Sequence, residues 1–473
     1  MATRRETDSM GSIEVPASAL WGAQTQRSLI NFASGAGLPG GQRFPQPFIH
    51  AFALVKKAAA QSNHALGLLP VQQAELIGRA CDEIMQGQHD DQFPLVMWQT
   101  GSGTQTNMNL NEVIANRANE LAGNARGSKH PVHPNDHVNL SQSSNDVFPT
   151  VMNVVIAAAL RESLLPALDT MLQALADKAA AFDGLMKAGR THMMDATPIS
   201  LGQEFSGYHR QLSYARSRLE AALPAVQALA IGGSAVGTGM NTPPHWVATV
   251  TQTIAALTGI DFSSEDNKFM ALAGHDVLTD LHGGLRTLAS SVLKIANDLR
   301  LMASGPRCGL AEIRLPENEP GSSIMPGKVN PTQIEALSMV AIQVLGNDTA
   351  VGFANSQGQF ELNVYKPLIF RNVYESIVLL TDALQGFTRH CLLGLEADAV
   401  RLAHYAEVSL MRATELTPYI GYDLAARSAQ LAHTQQLSLK EAVLQLGAMT
   451  EADFERALNP LPPMPTAGDG KQG

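Results

Sequence analysis

Two stretches of the chain pair a potential acid or base with side chains that could hold an anion. In Gly189-Arg190-Thr191-His192, followed by Asp195-Ala196-Thr197-Pro198, a histidine sits among turn formers outside any helical pattern. An unperturbed imidazole titrates near neutrality, which makes His192 a candidate acid–base group. The second stretch is Gly321-Ser322-Ser323-Ile324-Met325-Pro326-Gly327-Lys328-Val329-Asn330-Pro331. It closes a run of about 27 residues, 305–331, interrupted by Pro306, Pro316, Pro320, Pro326 and Pro331 and showing neither helical nor strand period. Irregular runs of this length inside compact domains are usually functional or disordered. Two serines, a lysine and an asparagine leading straight into a helix favour function.

Three more loops are rich in short hydrogen-bonding side chains. The first carries Ser102, Thr104, Thr106, Asn107 and Asn109; the second is His133-Pro134-Asn135-Asp136-His137; the third is Ser141-Gln142-Ser143-Ser144-Asn145-Asp146. Residues of the third loop should cap the helix that follows, but a cap needs one side chain and the surplus points to a ligand. Hydroxyls, amides and Lys328 together make a kit for several carboxylate oxygens.

Other chemistries fit less well. Gly321 and Gly327-Lys328 are separated by five residues where a phosphate loop needs four, Val329 stands at the magnesium-binding Ser/Thr position, and no strand precedes. The Gly-rich stretch 232–239 follows a helix, against a dinucleotide fingerprint. His130 and His133 are each followed by proline, which breaks helical ligand spacing, so no metal is expected. Asn330-Pro331-Thr332-Gln333 reads as a helix start in which Asn330 could cap and Gln333 complete a capping box; an anion-binding role for Asn330 is compatible with that.

The elements that must position these residues are mostly helices. Helical stretches are expected near 47–66, 72–86 and 109–121, then long Ala/Leu/Val segments over 151–182, 202–231, 245–258, 267–304 and 332–345. Leu281, Leu285, Leu288, Val292 and Ile295 recur at helical spacing. Segments above 25 residues would reach about 40 Å. Apolar residues cover so much of their circumference that one bundle supplies too few neighbours, and homo-oligomerisation is expected. Shorter helices joined by loops such as Thr417-Pro418-Tyr419-Ile420-Gly421 should fill 401–459. The division expected is 1–142, 143–399 and 400–473, the last ending in a flexible Pro- and Gly-rich tail.

At 473 residues, 45% hydrophobic and only 16% charged, the chain can bury a large core. A net charge of −10 disfavours a nucleic-acid partner and means that an anionic substrate needs a local positive site. Cys81, Cys308 and Cys391 form no metal or disulfide pattern. The polar residues 1–10 do not read as a signal segment, and no uninterrupted apolar run of about 18 residues is present. No membrane association and a cytoplasmic location are therefore expected.

The run from Gly321 to Pro331 resembles the signature loop of the fumarase/aspartase superfamily. Gly101-Ser102-Gly103-Thr104-Gln105-Thr106-Asn107-Met108-Asn109, His133-Pro134-Asn135-Asp136-His137-Val138-Asn139, Ser141 to Asp146 and Gly189 to His192 resemble its other active-site regions, in the same order, and the likeness covers about 13–459. Within the superfamily the chain is most similar to class II fumarases, through its Gly-Ser-Gly-Thr-Gln-Thr motif, Ser143-Ser144 and Thr332-Gln333. Two departures, Met193-Met194 for a more usual Leu-Gln and Ile334 for a frequent Cys, touch no catalytic side chain.

The resemblance implies a mainly α, three-domain subunit whose central five-helix bundle tetramerises into a twenty-helix core, with each active site drawing on three chains. It implies reversible anti hydration of fumarate to L-malate through an aci-carboxylate, without cofactor or metal. Ser322 corresponds to the general base, His192 to the partner that handles the departing hydroxyl, and Glu335 to the carboxylate that orients it. Lys328 and Asn330 would hold the substrate carboxylate; Ser102, Thr104, Ser143, Ser144, Asn145, Thr191 and Ser323 would orient the substrate. His133, Asn135 and Asp136 correspond to a second anion site. The alternatives are an aspartate ammonia-lyase and a non-catalytic structural paralogue.

Overall fold

The computed structural model describes residues 2–38 and 42–458, so the proline-rich tail expected to be flexible lies outside the described residues. The polar opening, for which no element is expected from the sequence, is a hairpin, β1 (Thr3–Asp8) and β2 (Gly11–Pro16), turned at Gly11 with φ 106°. Helices α1 (Ala23–Asn31), α2 (Gln46–Ala65), α3 (Val71–Met85) and α4 (Thr104–Leu121) follow. The long segment expected from 151 starts earlier, as α5 (Ser144–Ala159), and continues through one π-helical turn, Leu160–Leu164, into α6 (Leu165–Ala181). The short side chains at 143–146 that resembled a loop are its N-terminus: Ser143 and Asp146 form a capping box.

A second hairpin, β3 (Met186–Thr191) and β4 (Met194–Ser200), leads to α7 (Leu201–Val226), β5 (Ala228–Leu229), α8 (Trp246–Thr258) and β6 (Ser263–Ser264). The single helix expected over 267–304 is two, α9 (Lys268–Ala273) and α10 (Asp276–Met302), broken at the extended Gly274. Then come β7 (Ile313–Arg314) and α11 (Thr332–Asn355), ten residues longer than expected. Helix α12 (Lys366–Phe387) was not anticipated, although Ile369, Val373, Ile377, Leu380, Leu384 and Phe387 repeat at helical spacing and are all buried. Strand β8 (Glu396–Ala397) pairs with β7, and α13 (Ala399–Val408), α14 (Ala413–Ile420), α15 (Tyr422–Gln435), α16 (Leu439–Gln445) and α17 (Glu451–Ala457) complete the chain. The Thr417–Ile420 stretch expected as loop lies in α14; its Pro418 falls late in an eight-residue helix that Gly421 ends at φ 80°.

The chain forms two compact units that alternate along the sequence. The first comprises 1–166, 215–290 and 340–382. Here the rings of Phe44, Phe48, Phe52, Phe148 and Phe370 pack against one another, stacked, tilted or edge to face, and α10, α11 and α12 are tied by a buried polar chain. His282 Nδ1 lies 3.0 Å from Asp348, its Nε2 2.9 Å from Ser376, and Asn347 donates to Ser376 at 3.1 Å. The second unit comprises 167–214, 291–339 and 383–473, and includes a small cluster of Ala413, Leu416, Leu439, Val443 and Phe454 among its C-terminal helices. The stripe Leu281, Leu285, Leu288, Val292 and Ile295 is fully buried.

Two helical stretches, Ser144–Ala181 and Thr332–Asn355, are long and apolar enough by composition to cross a membrane. The most apolar part of the first is 61% buried, as befits a core helix; that of the second is only 28% buried, leaving an apolar face without a partner in one chain.

Candidate active site

In the first unit Ser102, Thr104 and Ser144 meet at two helix N-termini. Ser102 Oγ and Thr104 Oγ1 are 3.0 Å apart, and Thr104 Oγ1 and Ser144 Oγ 2.8 Å apart, so one hydroxyl chain links the start of α4 to that of α5. Glycines allow this closeness. Gly103 has φ 83° and presses on the Phe148 ring, where a Cβ would lie 2.1 Å from Cδ2; a Cβ on Gly101 would meet the Val364 carbonyl oxygen. Ser143 Oγ accepts from the Asn145 N–H at 3.2 Å, and the Asn145 amide donates to the Ala235 carbonyl at 2.8 Å. Helix starts carry unpaired N–H groups and a partial positive charge, so this turn suits a carboxylate.

The turn is braced from below. Asp146 is fully buried; its Oδ1 accepts from the Ser143 N–H and its Oδ2 from the N–H groups of Gly232 and Ser234, each at 2.9 Å. Burial nevertheless raises its pKa to about 6. Lys56, also buried, donates to Asn139 at 3.0 Å and Gln142 at 3.1 Å, and burial lowers its pKa to about 7.

The stretch that resembles a second anion site is a π-helical turn, Pro134–Val138. His133 Nδ1 lies 3.2 Å from the N–H groups of Asn135 and Asp136 and 3.2 Å from the Asp136 carboxylate, while Asn135 and Asp136 are exposed. His133 and Asn135 line a cavity of about 190 Å³ shared with Lys129, but also with Glu6, Asp8 and Glu112.

In the second unit Thr191 and His192 form the exposed tip of the β3–β4 hairpin, where Thr191 pairs with Met194. His192 and Met193 both take positive φ, 56° and 65°. Two-residue hairpin turns favour Asn-Gly in such positions, and a non-glycine pair there is a local strain of the kind found at functional sites. The hairpin is anchored by a cluster that the sequence did not suggest. The wholly buried Glu312 meets Arg190 at 2.7 Å and Lys187 at 3.2 Å, and Lys187 also reaches Glu204 at 2.6 Å.

The signature loop is pinched at its base. The Gly321 N–H donates to the Lys328 carbonyl at 2.8 Å, and the Asn330 amide donates to the Gly321 carbonyl at 2.5 Å. Asn330 therefore closes the loop; among the described residues no backbone N–H uses its side chain as a helix cap. Ser322 Oγ accepts from two backbone N–H groups, Ile324 at 3.2 Å and Met325 at 3.0 Å. Ser323 and Lys328 are exposed, as is the tip with Ile324 (83%) and Met325 (49%), and Glu335 is exposed on the first turn of α11. Among the described residues no hydrogen bond or ion pair joins His192 to Ser322, Lys328 or Glu335.

Comparison with known proteins agrees with these features. Residues 11–346 match the lyase family model, and 413–462 match the fumarase C C-terminal model. The chain is 58% identical, over 97% of its length and 98% of the relative's, to a fumarate hydratase class II of Pseudomonas syringae pv. tomato. It is 58% identical to the one of Thermosynechococcus vestitus, over 96% of each. A crystal structure of recombinant class II fumarase from Schistosoma mansoni superposes with a TM-score of 0.94 at 44% identity, covering 97% of this chain and 98% of that one. With most of its length inside the lyase family model and near-complete relatives at this identity, the chain belongs to the class II fumarases of the fumarase/aspartase superfamily.

Proposed function

We propose that the protein catalyses the reversible anti addition of water to fumarate, giving L-malate, as a homotetramer in the cytoplasm. In the malate-to-fumarate direction, a proton must leave the carbon next to a carboxylate, and the negative charge then spreads onto that carboxylate as an aci-carboxylate dianion. Preorganised donors must stabilise that charge.

One observation carries the reading: the Ser322 hydroxyl oxygen accepts from the N–H groups of Ile324 and Met325. A serine is a poor base in water, and its alkoxide needs aimed donors and a nearby cation. The two N–H groups supply the first and Lys328, six residues on, the second. In this mechanism Ser322 takes the carbon-bound proton, Lys328 and Asn330 hold the aci-carboxylate, and Ser323 contacts the substrate. His192 delivers a proton to the departing hydroxyl, oriented by Glu335, while Thr191, Ser102, Thr104, Ser143, Ser144 and Asn145 fix the substrate. His133, Asn135 and Asp136 form a separate anion site.

The lack of a hydrogen bond or ion pair between His192 and Ser322 or Glu335 among the described residues supports a site assembled from three chains. The exposed apolar face of Thr332–Asn355 supports tetramerisation through a twenty-helix core of three-domain subunits. An aspartate ammonia-lyase would share the carboxylate chemistry but must place an amine. Ultraviolet absorbance of the conjugated product decides between them: fumarate should form from malate and not from aspartate. Formation from aspartate alone would replace this reading, and inactivity with both would leave a non-catalytic paralogue.

A further inference from the structure

Lys366 is a buried cation with no hydrogen-bond partner among the described residues for its ammonium group. Its placement ties it to the substrate turn. The Lys366 N–H donates to the Gly101 carbonyl at 3.1 Å, and the Val364 carbonyl presses on Gly101, one residue before Ser102. Within Coulombic reach lies Asp146, the carboxylate inside the first turn of α5. Asp146 is shared: Lys56 from α2 and Lys268 from α9 also act on it.

Two of the three lysines have other partners. Lys56 donates to Asn139 and Gln142; Lys268 donates to the Leu229 carbonyl and Ser264, each at 2.8 Å, and also feels Glu265 and Asp266. Among the described residues Lys366 has only its share of Asp146, and its other titratable neighbour, the buried His275, is held neutral by burial, with a pKa lowered to about 3. Burial lowers the pKa of Lys366 and Lys56 to about 7 and that of Lys268 to about 8, so near neutrality the three lysines still carry more positive charge than one carboxylate offsets, beside the Ser102–Thr104–Ser144 hydroxyl chain and in a protein whose net charge is −10. A lone ammonium is costly to bury and contributes nothing to folding unless something negative offsets it. A doubly charged ligand on the hydroxyl chain would do so, and water screens little at that depth.

We propose that Lys366 is a positioning residue that supplies the positive field by which the Ser102–Ser144 turn selects dicarboxylates over monocarboxylates. This rests on the reading of the site as a dicarboxylate site.

The test compares succinate and butyrate binding by calorimetry in the wild-type full chain, Lys366→Met and Lys366→Gln. Succinate affinity should fall about tenfold or more in both variants. Butyrate affinity should change less than about twofold, and the thermal midpoint should hold or rise because a buried lone charge has gone. With fumarate the loss should enter KM more than kcat. Succinate affinity within about twofold of wild type, or equal losses for both acids, overturns the proposal. So does failure of both variants to fold, since a lysine with no partner should be dispensable for folding. Succinate does not react, so a wild type that binds it without hydrating fumarate sinks the proposed function alone. A fumarate hydratase whose selectivity is untouched by both substitutions sinks this proposal alone.

Discussion

The wholly buried Glu312 carboxylate and the Arg190 guanidinium meet at 2.7 Å, two residues before His192 in the sequence. Glu312 also stands directly before β7, at the start of the irregular segment that runs to Ser322. One carboxylate thus fixes both the histidine hairpin and the root of the signature segment. Removing one partner of a buried ion pair leaves the other charge uncompensated, at about 3–5 kcal/mol. Glu312→Gln keeps the shape but strands Arg190 and half of Lys187. Its thermal midpoint should fall and turnover should drop with it; wild-type values of both would show that the hairpin does not depend on this carboxylate.

Ser322→Ala removes the acceptor of the Ile324 and Met325 N–H groups and, on the proposed mechanism, the base itself. Turnover should fall by about 10³ or more, with sedimentation unchanged. His192→Asn should also lower turnover, by about 10²-fold or more. A Ser322→Ala enzyme within about tenfold of wild type would reassign the base.

Much of this site was legible because its parts are local in sequence. Proline and glycine spacing marks the irregular loop at 305–331, and surplus hydroxyls mark 102–109 and 141–146. What stayed hidden depends on tertiary contacts. Lys56 sits in an apolar helical run and Lys366 before a proline, and nothing nearby in sequence tells that either is buried. Glu312, Arg190 and Lys187 are up to 125 residues apart and meet only in the fold. The hairpin around His192 lacks the Asn-Gly signal because its turn is made by His-Met in a disfavoured conformation. Asn330 reads as a cap because Asn-Pro usually begins helices, yet its amide is taken by the Gly321 carbonyl.

The Thr104–Ser144 hydroxyl contact at 2.8 Å gives a prediction about binding. Thr104→Val keeps the volume but interrupts the chain from Ser102 to Ser144, removing two hydrogen bonds of about 1 kcal/mol each. KM for fumarate should rise about fivefold, with kcat changing less. A variant with unaltered KM would place the substrate elsewhere.

Acid stability should depend on Glu83. Its carboxylate accepts from Arg117 at 2.5 and 2.9 Å and contacts His89 at 2.8 Å. The Arg117 hydrogen bonds above all hold its pKa down, to about 2 from an ordinary 4.5, against the opposing effect of burial. Because the folded pKa lies below the unfolded one, the stabilisation is present above 4.5 and is lost as pH falls toward 2. Glu83→Gln should therefore narrow the difference in urea stability between about pH 6 and about pH 3. An unchanged difference would mean that other carboxylates carry the acid response.

Helix α11 bears two seams. Ile334, Leu337, Ala341, Val344, Val351 and Ala354 form the buried one. Glu335, Met339, Ile342, Gly346, Thr349 and Phe353 form a second at spacings of four and three, and all six are exposed, Met339 at 67% and Phe353 at 69%. Spacings alternating between three and four are those of helices that pack side by side. The exposed seam begins at Glu335, the residue assigned to orient His192, so chains meeting along it would carry Glu335 toward a neighbour. Ile342→Glu puts a charge at the middle of that seam, where burial without a partner is strongly unfavourable. The wild type should sediment near four times the 50.4 kDa chain mass, and the variant well below it, with hydration lost if each site draws on three chains as proposed. A variant that keeps the full mass would remove α11 from the interface, and an active monomer would refute the three-chain site.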